Sequence, residues 1–230
     1  MGAVGFQQHC AARFASAPDR GAGTYEAVHR AFEWLPLAAI VADAVLVLHG
    51  GLGDGSWTID DLRLVERPVA DDINAQKCVR EALWSDPTDS DADMQRGVHF
   101  RGERGPGIPT FGPDVTRAFC TREGIQLVVR SHQFVREGVK FMHGGRLATL
   151  FSARNYFEAH LNDSALLLVA ADESGALRVR TKTLAHRMAQ QTHEQSRPLG
   201  ELLGQLSVGG ASMGGGLASI SAGLDNVTVR

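Results

Sequence analysis

The sequence predicts a mixed α/β (α+β) domain, with helices mainly in the first half of the chain and strands mainly in the second. Three observations predict this class. Apolar residues recur at helical spacing from Tyr25, and an apolar, β-branched run follows at 40–48. Further along, two pairs of apolar runs flank short glycine-containing segments at 143–146 and 173–175, which is the pattern of β-hairpins. We therefore expect helices and several strands around one core.

The first predicted elements are two helices followed by a strand. Residues 1–23 have little periodicity, which predicts an edge segment with a helix only around 6–15. A stronger helical pattern follows Thr24 and ends at Pro36. The run at 40–48 is interpreted as one buried strand, because its β-branched residues do not suit a surface helix.

Two further helices flank a long polar stretch. One helix is predicted over 70–84, with the aspartate at 71 or 72 as its N-cap. Residues 85–110 are polar and rich in glycine and proline, and a loop of this length is usually functional or disordered. Pro113 suits the first turn of another helix, which Gly124 would end.

The second half is expected to be β-meander-like. A strand is predicted at 125–129, followed by hairpins at 139–151 and 166–183. From residue 188 to 230 the pattern is lost, and eight of the 26 glycines fall between Gly200 and Gly223. This segment is expected to be a low-complexity, disordered tail.

The composition and charge exclude several classes of protein. The 230 residues carry 23 basic and 26 acidic side chains, for a formal net charge of −3, and the basic ones are scattered. We expect no nucleic-acid partner, because binding to a phosphate backbone needs clustered positive charge. No apolar run approaches the ~20 residues that a membrane span needs, so no membrane association is expected either.

The cysteines indicate a compartment. Cys10, Cys78 and Cys120 are odd in number and far apart, which argues against a disulfide framework. The chain also has no basic N-terminal segment followed by an apolar one, which is the pattern of a secretory signal. A cytoplasmic or nuclear location is therefore predicted.

Two histidines each lie just beyond the end of a strongly apolar strand. They are His49 in LVLHGGLG and His132 in LVVRSHQ. A strand end is a rigid platform, and Gly50 and Gly51 let the chain turn sharply and let a ligand approach the backbone. Neutral imidazole is the commonest side-chain metal ligand. A lone strand-end histidine is more often an ordinary residue than a ligand, and a pair so placed is the better candidate.

Arginine and tyrosine residues in loops suggest phosphate chemistry. Arg101 and Arg104 lie in the glycine-rich loop, where a guanidinium can hold a phosphate bidentately or remain a solvated surface group. Asn155 and Tyr156 follow a strand, where a phenol can donate to an oxyanion or merely pack a turn. Dinucleotide, Walker and C-x-x-C motifs do not occur, which excludes nucleotide-binding and zinc-finger interpretations.

Six motifs together resemble one known family. They are LPLAAI (35–40), LHGGLG (48–53), LWSDP (83–87), RGPGIPTFGPD (104–114), RSHQ (130–133) and FSARNYF (151–157). Their order and spacing are similar to those of the phosphoprotein phosphatases, the metal-dependent Ser/Thr protein phosphatases, and especially to the EF-hand-bearing members. The resemblance covers about residues 24–184, and no EF-hand pattern follows it.

The resemblance implies a fold and a domain organisation. The expected fold is a β-sandwich flanked by helices, of the calcineurin-like metallophosphoesterase type. Residues 24–187 would be the C-terminal part of the catalytic domain, between the edge segment and the tail. The implied site residues are metal ligands His49 and His132, phosphate-contacting Arg104 and Tyr156, and loop-ordering Asp86 and Asn155.

The resemblance also implies the chemistry and the partners. The complete family site holds two divalent metal ions, manganese, iron or zinc, and a metal-activated water hydrolyses phosphoserine or phosphothreonine. The expected partners are a phosphoprotein substrate and a regulatory subunit. These expectations describe a hydrolase of the Ser/Thr protein phosphatase class.

The sequence also departs from the family pattern. The family's GDxHG, GDxxDRG and GNHE motifs are absent, and with them the carboxylate ligands, an asparagine, a histidine, a second phosphate-binding arginine and the general-acid histidine. The chain is therefore expected to begin inside the catalytic domain, to hold at most a partial site and to be inactive alone. The alternative is a non-catalytic, degenerate phosphatase that binds a phosphoprotein or another partner. Smaller departures are Arg154, where relatives have a small residue or proline, and a longer 104–112 loop that leaves the choice between Arg101 and Arg104 open.

Overall fold

The computed structural model describes residues 5–69, 76–88, 96–100, 104–105, 107–157, 161–171, 177–185 and 227–229. The helices within them are α1 (Phe6–Arg13), α2 (Ala22–Phe32), α3 (Ile59–Arg63), α4 (Lys77–Trp84) and α5 (Pro113–Glu123). The strands are β1 (Ala38–Val41), β2 (Val45–Leu48), β3 (Asp86–Pro87), β4 (Val98–His99), β5 (Thr110–Phe111), β6 (Leu127–Arg130), β7 (Val139–Met142), β8 (Leu147–Leu150), β9 (Ser164–Ala171), β10 (Leu177–Leu184) and β11 (Val227–Val229). None of these helices has the length and apolar character to cross a bilayer.

The central layer is a six-stranded sheet in the order β11-β1-β2-β6-β8-β7. Its middle strands β2, β6 and β8 are parallel, and β1 and β7 run antiparallel to their neighbours. Two smaller sheets accompany it, the hairpin β9-β10 and the group β3-β5-β4. The mixed α/β class predicted from the sequence is therefore confirmed.

Each face of the central sheet is covered by a different layer. On one face the buried residues Val45, Leu127, Val129 and Ala148 pack against apolar side chains of β9 and β10, including Leu167 and Val179. On the other face, Leu46, Val128 and Leu147 join a larger core with residues of the helical layer, such as Phe119 of α5. Parallel strands buried on both faces are continuously apolar, which explains the runs seen in the sequence.

The run at 40–48, interpreted as one strand, is a hairpin, so that interpretation was wrong. β1 and β2 pair antiparallel with Val41 opposite Val45. Ala42 and Asp43 form the turn, both with positive φ angles of 50° and 48°. A two-residue turn with positive φ at both positions matches the twist of the strands. The turn was missed because Ala-Asp lacks the glycine or asparagine that usually marks it.

The meander expected for the second half was also wrong in part. The predicted hairpins are present, as β7-β8 and β9-β10. However, β8 pairs parallel with β6, with Val129 opposite Ala148, and β7 lies at the edge of the sheet. The stretch 85–110 likewise contains the short strands β3, β4 and β5 rather than loop alone, while 89–95, 101–103 and 106 lie outside the described residues.

Helix boundaries follow the local signals where the structure describes them. α5 begins at Pro113 and ends before Gly124, which has a φ of 71°, as predicted. α4 begins at Lys77, later than the predicted start, and 70–75 lie outside the described residues. The predicted tail also lies outside them, apart from β11, which pairs antiparallel with β1. The disorder assigned to the tail stays a prediction.

Candidate functional site

The two strand-end histidines come together. β2 and β6 are parallel neighbours, so their carboxyl ends open at the same edge of the sheet. The Ser131 amide donates to the carbonyl of His49 at 3.1 Å, which ties the two strand ends together. His132 has a φ of 59°, and its Nδ1 lies 3.0 Å from Nε2 of His49. The sequence prediction that these histidines share a site agrees with this placement.

Both imidazoles are held neutral. Burial, together with the nearby Arg104 guanidinium, lowers the pKa of His132 to about 4. Burial also lowers the pKa of His49, with the Arg130 guanidinium adding to the effect. Nε2 of His132 is buried and has no hydrogen-bond partner among the described residues. A neutral ring with a free nitrogen can ligate a cation or bond a polar ligand atom.

Asp86 links two arginines beside the histidines. Its Oδ1 accepts from the Arg130 guanidinium at 2.7 Å, and its Oδ2 accepts from Nε of Arg104 at 3.0 Å. Arg104 also donates to the carbonyl of His132 at 3.3 Å. Asp86 therefore orients the Arg104 guanidinium, and Arg104 keeps a partly exposed side chain. The loop-ordering role expected for Asp86 stays a prediction.

Arg130 is a residue that sequence reasoning missed. Its side chain is fully buried, and it donates to the carbonyls of Gly50 and Ser85 as well as to Asp86. It thereby joins β6 to the segments that follow β2 and α4. The available signal was a charged residue ending the otherwise apolar run of β6, because a buried charge requires partners.

The glycines after His49 serve the protein's own packing. A Cβ on Gly50 would lie 2.4 Å from the backbone of Leu83, and one on Gly51 would lie 2.4 Å from the ring of Phe111. Both contacts are too close for any side chain. The groups that approach these glycines belong to α4 and β5, and the approach of a ligand stays a prediction.

These groups surround a cavity of about 780 Å³. Trp84 and Tyr156 contribute aromatic rings to it, and Arg104 contributes its guanidinium. The full lining is Val47, Leu48, His49, Leu83, Trp84, Arg104, Val129, Arg130, Ser131, His132, Leu150, Phe151, Ser152, Ala153 and Tyr156. Four of the six residues singled out from the sequence therefore line one cavity, and Asp86 holds two of the lining arginines.

Asn155 does not line the cavity. The side chain that holds the backbone of this loop is that of Asn162, which lies beside it. Asn162 is fully buried, donates to the carbonyl of Ala153 at 2.7 Å and accepts from the Tyr156 amide at 2.9 Å. Asn155 contributes its backbone, with a φ of 52° and an amide that donates to the Asn162 carbonyl. Sequence reasoning missed Asn162 because nothing in its local pattern marks it. Arg101 lies outside the described residues.

The described residues do not fit the two divalent ions that the resemblance implies. No three His, Cys, Asp or Glu side chains among them are grouped as a metal site. The histidine pair offers neutral nitrogen ligands only, and both oxygens of Asp86 accept from arginines. A binuclear centre needs anionic ligands to offset its charge. The part of the chain that the structure describes therefore supplies at most two nitrogen ligands.

Comparisons with known proteins agree with the resemblance. The sequence model of the calcineurin-like phosphoesterase family matches residues 6–136. Serine/threonine-protein phosphatase BSL2 of Arabidopsis thaliana is 34% identical over 168 residues, which is 73% of this chain and 16% of that protein. Serine/threonine-protein phosphatase T of Aspergillus oryzae is 34% identical over 73% of this chain and 33% of its own length. Human serine/threonine-protein phosphatase 5 is 39% identical over 57% of this chain and 25% of its own length.

A solved structure is similar as well. It is a protein serine/threonine phosphatase from Saccharomyces cerevisiae with similarity to human phosphatase PP5, and it matches with a TM-score of 0.65 and 26% identity. The match covers 81% of this chain and 56% of that chain. The chain thus spans between 16% and 33% of the curated relatives named here. Because the family match extends over more than half of the sequence, and the matched fold is the same, the chain belongs to the calcineurin-like phosphoesterase family.

Proposed function

We propose that this chain carries the phosphate-binding part of a protein serine/threonine phosphatase site, which takes the phosphoserine or phosphothreonine of a phosphoprotein. The observation that carries the proposal is the oriented Arg104 guanidinium beside a neutral histidine pair in one cavity. Relatives named as serine/threonine-protein phosphatases support the choice of substrate.

Arg104 is the group that binds the phosphate. Its Nε is engaged by Asp86, which fixes the plane of the guanidinium and leaves other N–H groups for a ligand. A phosphate monoester carries a charge of about −1.5 to −2 at neutral pH, and charge-assisted hydrogen bonds to it are strong. Tyr156, half exposed on the cavity wall, donates its phenolic O–H to a phosphate oxygen.

The two histidines offer ring nitrogens to the bound phosphate group without adding charge to the cavity. His49 and His132 stay neutral at pH 7, since their pKa values are lowered. The free Nε2 of His132 is the position for a polar ligand atom or a cation. The family implies divalent metal ions, and we assign manganese, iron or zinc to the complete site without any step of this chain depending on them.

The described residues that line the cavity include no carboxylate, and both oxygens of the nearby Asp86 accept from arginines. We therefore expect the isolated chain to bind phosphate monoesters and not to turn them over. The second candidate function, a non-catalytic phosphoprotein-binding module, is favoured by the engagement of both Asp86 oxygens with arginines. A regulatory subunit and a cytoplasmic or nuclear location complete the proposal.

Binding of a phosphoserine peptide, compared with its unphosphorylated form, tests the proposed function. Arg104→Ala is expected to weaken phosphate-dependent binding at least about tenfold, as for a lost charged hydrogen bond. Arg146→Ala is the matched control, because this exposed arginine precedes β8 while the cavity lies at the other end of that strand. Equal affinity for the two peptides would overturn the proposal.

An activity assay separates the two candidate functions. Hydrolysis of a small aryl phosphate with added manganese is expected to be absent in the isolated chain. Turnover that survives purification and vanishes in His49→Ala would show that the chain is an enzyme by itself. Phosphate-dependent binding without turnover would agree with a chain that binds and positions the phosphate but does not hydrolyse it.

A further inference from the structure

We propose that Arg154 is a specificity-determining residue, which favours phosphoprotein substrates that carry an acidic side chain beside the phosphorylated residue. The proposal rests on the proposed function, because it adds a contact at the rim of the same cavity. Arg154 takes no part in binding the phosphate as described above. It is an exposed cation in a segment that contributes Phe151, Ser152, Ala153 and Tyr156 to the cavity lining.

The position of Arg154 along the chain places it at the cavity rim. Ala153 and Tyr156, on either side of it, both line the cavity. Within the part of the chain that the structure describes, no hydrogen bond or ion pair engages the Arg154 side chain. Its guanidinium is therefore available to a charged group of a bound ligand.

The backbone around Arg154 is fixed on both sides. Asn162 donates to the carbonyl of Ala153 at 2.7 Å, and it accepts from the Tyr156 amide at 2.9 Å. The Asn155 amide donates to the Asn162 carbonyl at 3.2 Å. Asn162 is fully buried, so these hydrogen bonds are protected from water. A contact made from a preorganised segment loses less entropy on binding.

The charges around the cavity rim favour an acidic side chain beside the phosphorylated residue of the substrate. No aspartate or glutamate is among the lining residues of the cavity, and the nearby Asp86 is engaged by Arg104 and Arg130. A carboxylate beside the phosphorylated residue therefore meets no like charge there among the described groups. Arginine binds a carboxylate through paired N–H groups, which a neutral amide side chain cannot replace.

The test measures peptide binding to the full chain. Two phosphoserine peptides differ only in having aspartate or asparagine beside the phosphoserine, and their affinities are measured by fluorescence anisotropy at low ionic strength. We expect the aspartate peptide to bind about three- to fivefold more tightly, as for one exposed ion pair. Arg154→Ala is expected to abolish the difference, and Arg154→Glu to reverse it. Arg146→Ala, an equally exposed arginine away from the cavity, is expected to retain it.

The outcomes distinguish this inference from the proposed function. Equal affinity of the wild-type chain for the two phosphopeptides, with binding that still requires phosphate and Arg104, would overturn the role of Arg154 alone. A preference that persists in Arg154→Ala would do the same. Failure of the chain to distinguish phosphorylated from unphosphorylated peptide would overturn the proposed function, and this inference with it.

Discussion

At the scale of single residues, the site depends on charges that hold one another in place. Arg130 is fully buried, and its guanidinium donates to Asp86 at 2.7 Å. Asp86 also orients Arg104. A buried guanidinium that loses its carboxylate keeps its desolvation cost without compensation. One aspartate therefore couples the stability of the strand end to the geometry of the phosphate contact.

Asp86→Asn is expected to reduce stability and phosphopeptide affinity together. The free energy of unfolding should fall by about 3 kcal/mol, because the buried Arg130 guanidinium loses its ion pair with the Asp86 carboxylate. Urea denaturation measures it. The control is Asp60→Asn, which removes an exposed pair with Arg63 and should cost less than about 1 kcal/mol. Equal effects of the two variants would contradict the assigned role of Asp86.

Glu81 gives the chain a pH dependence of its own. It is buried, and burial together with the neighbouring Asp54 raises its pKa to about 7. A raised pKa in the folded state means that the folded chain binds more protons than the unfolded chain between about pH 4.5 and 7. Stability is therefore fully present below that window and is lost as the pH rises through 7.

Glu81→Gln is expected to remove this loss. The variant should be more stable than the wild type at pH 8 by roughly 2 kcal/mol and should differ little at pH 5. Thermal or urea unfolding at the two pH values measures the difference. Glu26→Gln, at an exposed position on α2, should leave the pH dependence unchanged. A difference that is the same at both pH values would rule out titration of Glu81 as the cause.

A site residue could be predicted from the sequence where the signal lay in its neighbouring residues, and not where its role depended on hydrogen-bond partners distant in sequence. The histidines were found because each follows an apolar strand, and parallel strands bring their carboxyl ends together. Arg130 and Asn162 were missed because their roles depend on groups distant in sequence, such as Gly50 and Ala153. A side chain that bonds distant backbone carries no mark in its own neighbourhood.

At the scale of elements, local signals predicted the helices better than the sheet. α5 was predicted at both ends, because Pro113 and Gly124 act through their own backbone angles. The pairing of β8 with β6 could not be predicted, since a parallel pair joins strands that are separated along the chain and depends on tertiary packing rather than on a local turn signal. The β1-β2 turn was hidden because Ala42 is not a typical turn residue and neither turn position carries the glycine that usually marks such a hairpin.

That turn gives a prediction at the same scale. Ala42 and Asp43 both have positive φ, which costs free energy for residues with a side chain. Replacing them together by asparagine and glycine, the pair preferred in such turns, should raise the free energy of unfolding by about 1 kcal/mol. Denaturant titration checks the change. A loss of stability would indicate that the turn residues make a contact that the backbone angles do not reveal.

At the scale of the whole molecule, the outer face of the β9-β10 hairpin exposes two leucines of β9, which lie opposite Lys182 and Arg180 of β10. Leu166 and Leu168 are 45% and 51% exposed, whereas Leu167 between them packs against the central sheet. Alternate side chains of a strand point to opposite faces, so a single strand presents both surfaces. Together with exposed Trp34, Leu35 and Leu64, these leucines predict self-association or dye binding by the isolated chain.

Substitution on the two faces of β9 is expected to have opposite consequences. Leu166→Thr with Leu168→Thr should reduce binding of a hydrophobic dye and self-association, while the free energy of unfolding changes by less than about 1 kcal/mol, since threonine keeps the strand propensity. Leu167→Thr should instead lower the free energy of unfolding by about 2 kcal/mol, because it removes partly buried apolar surface and places a hydroxyl against the core. Dye fluorescence, light scattering and urea denaturation on the same samples measure all three quantities. If the Leu166→Thr, Leu168→Thr variant is destabilised as strongly as Leu167→Thr, then Leu166 and Leu168 are not exposed in the isolated chain. That result would contradict the prediction that these two leucines cause self-association.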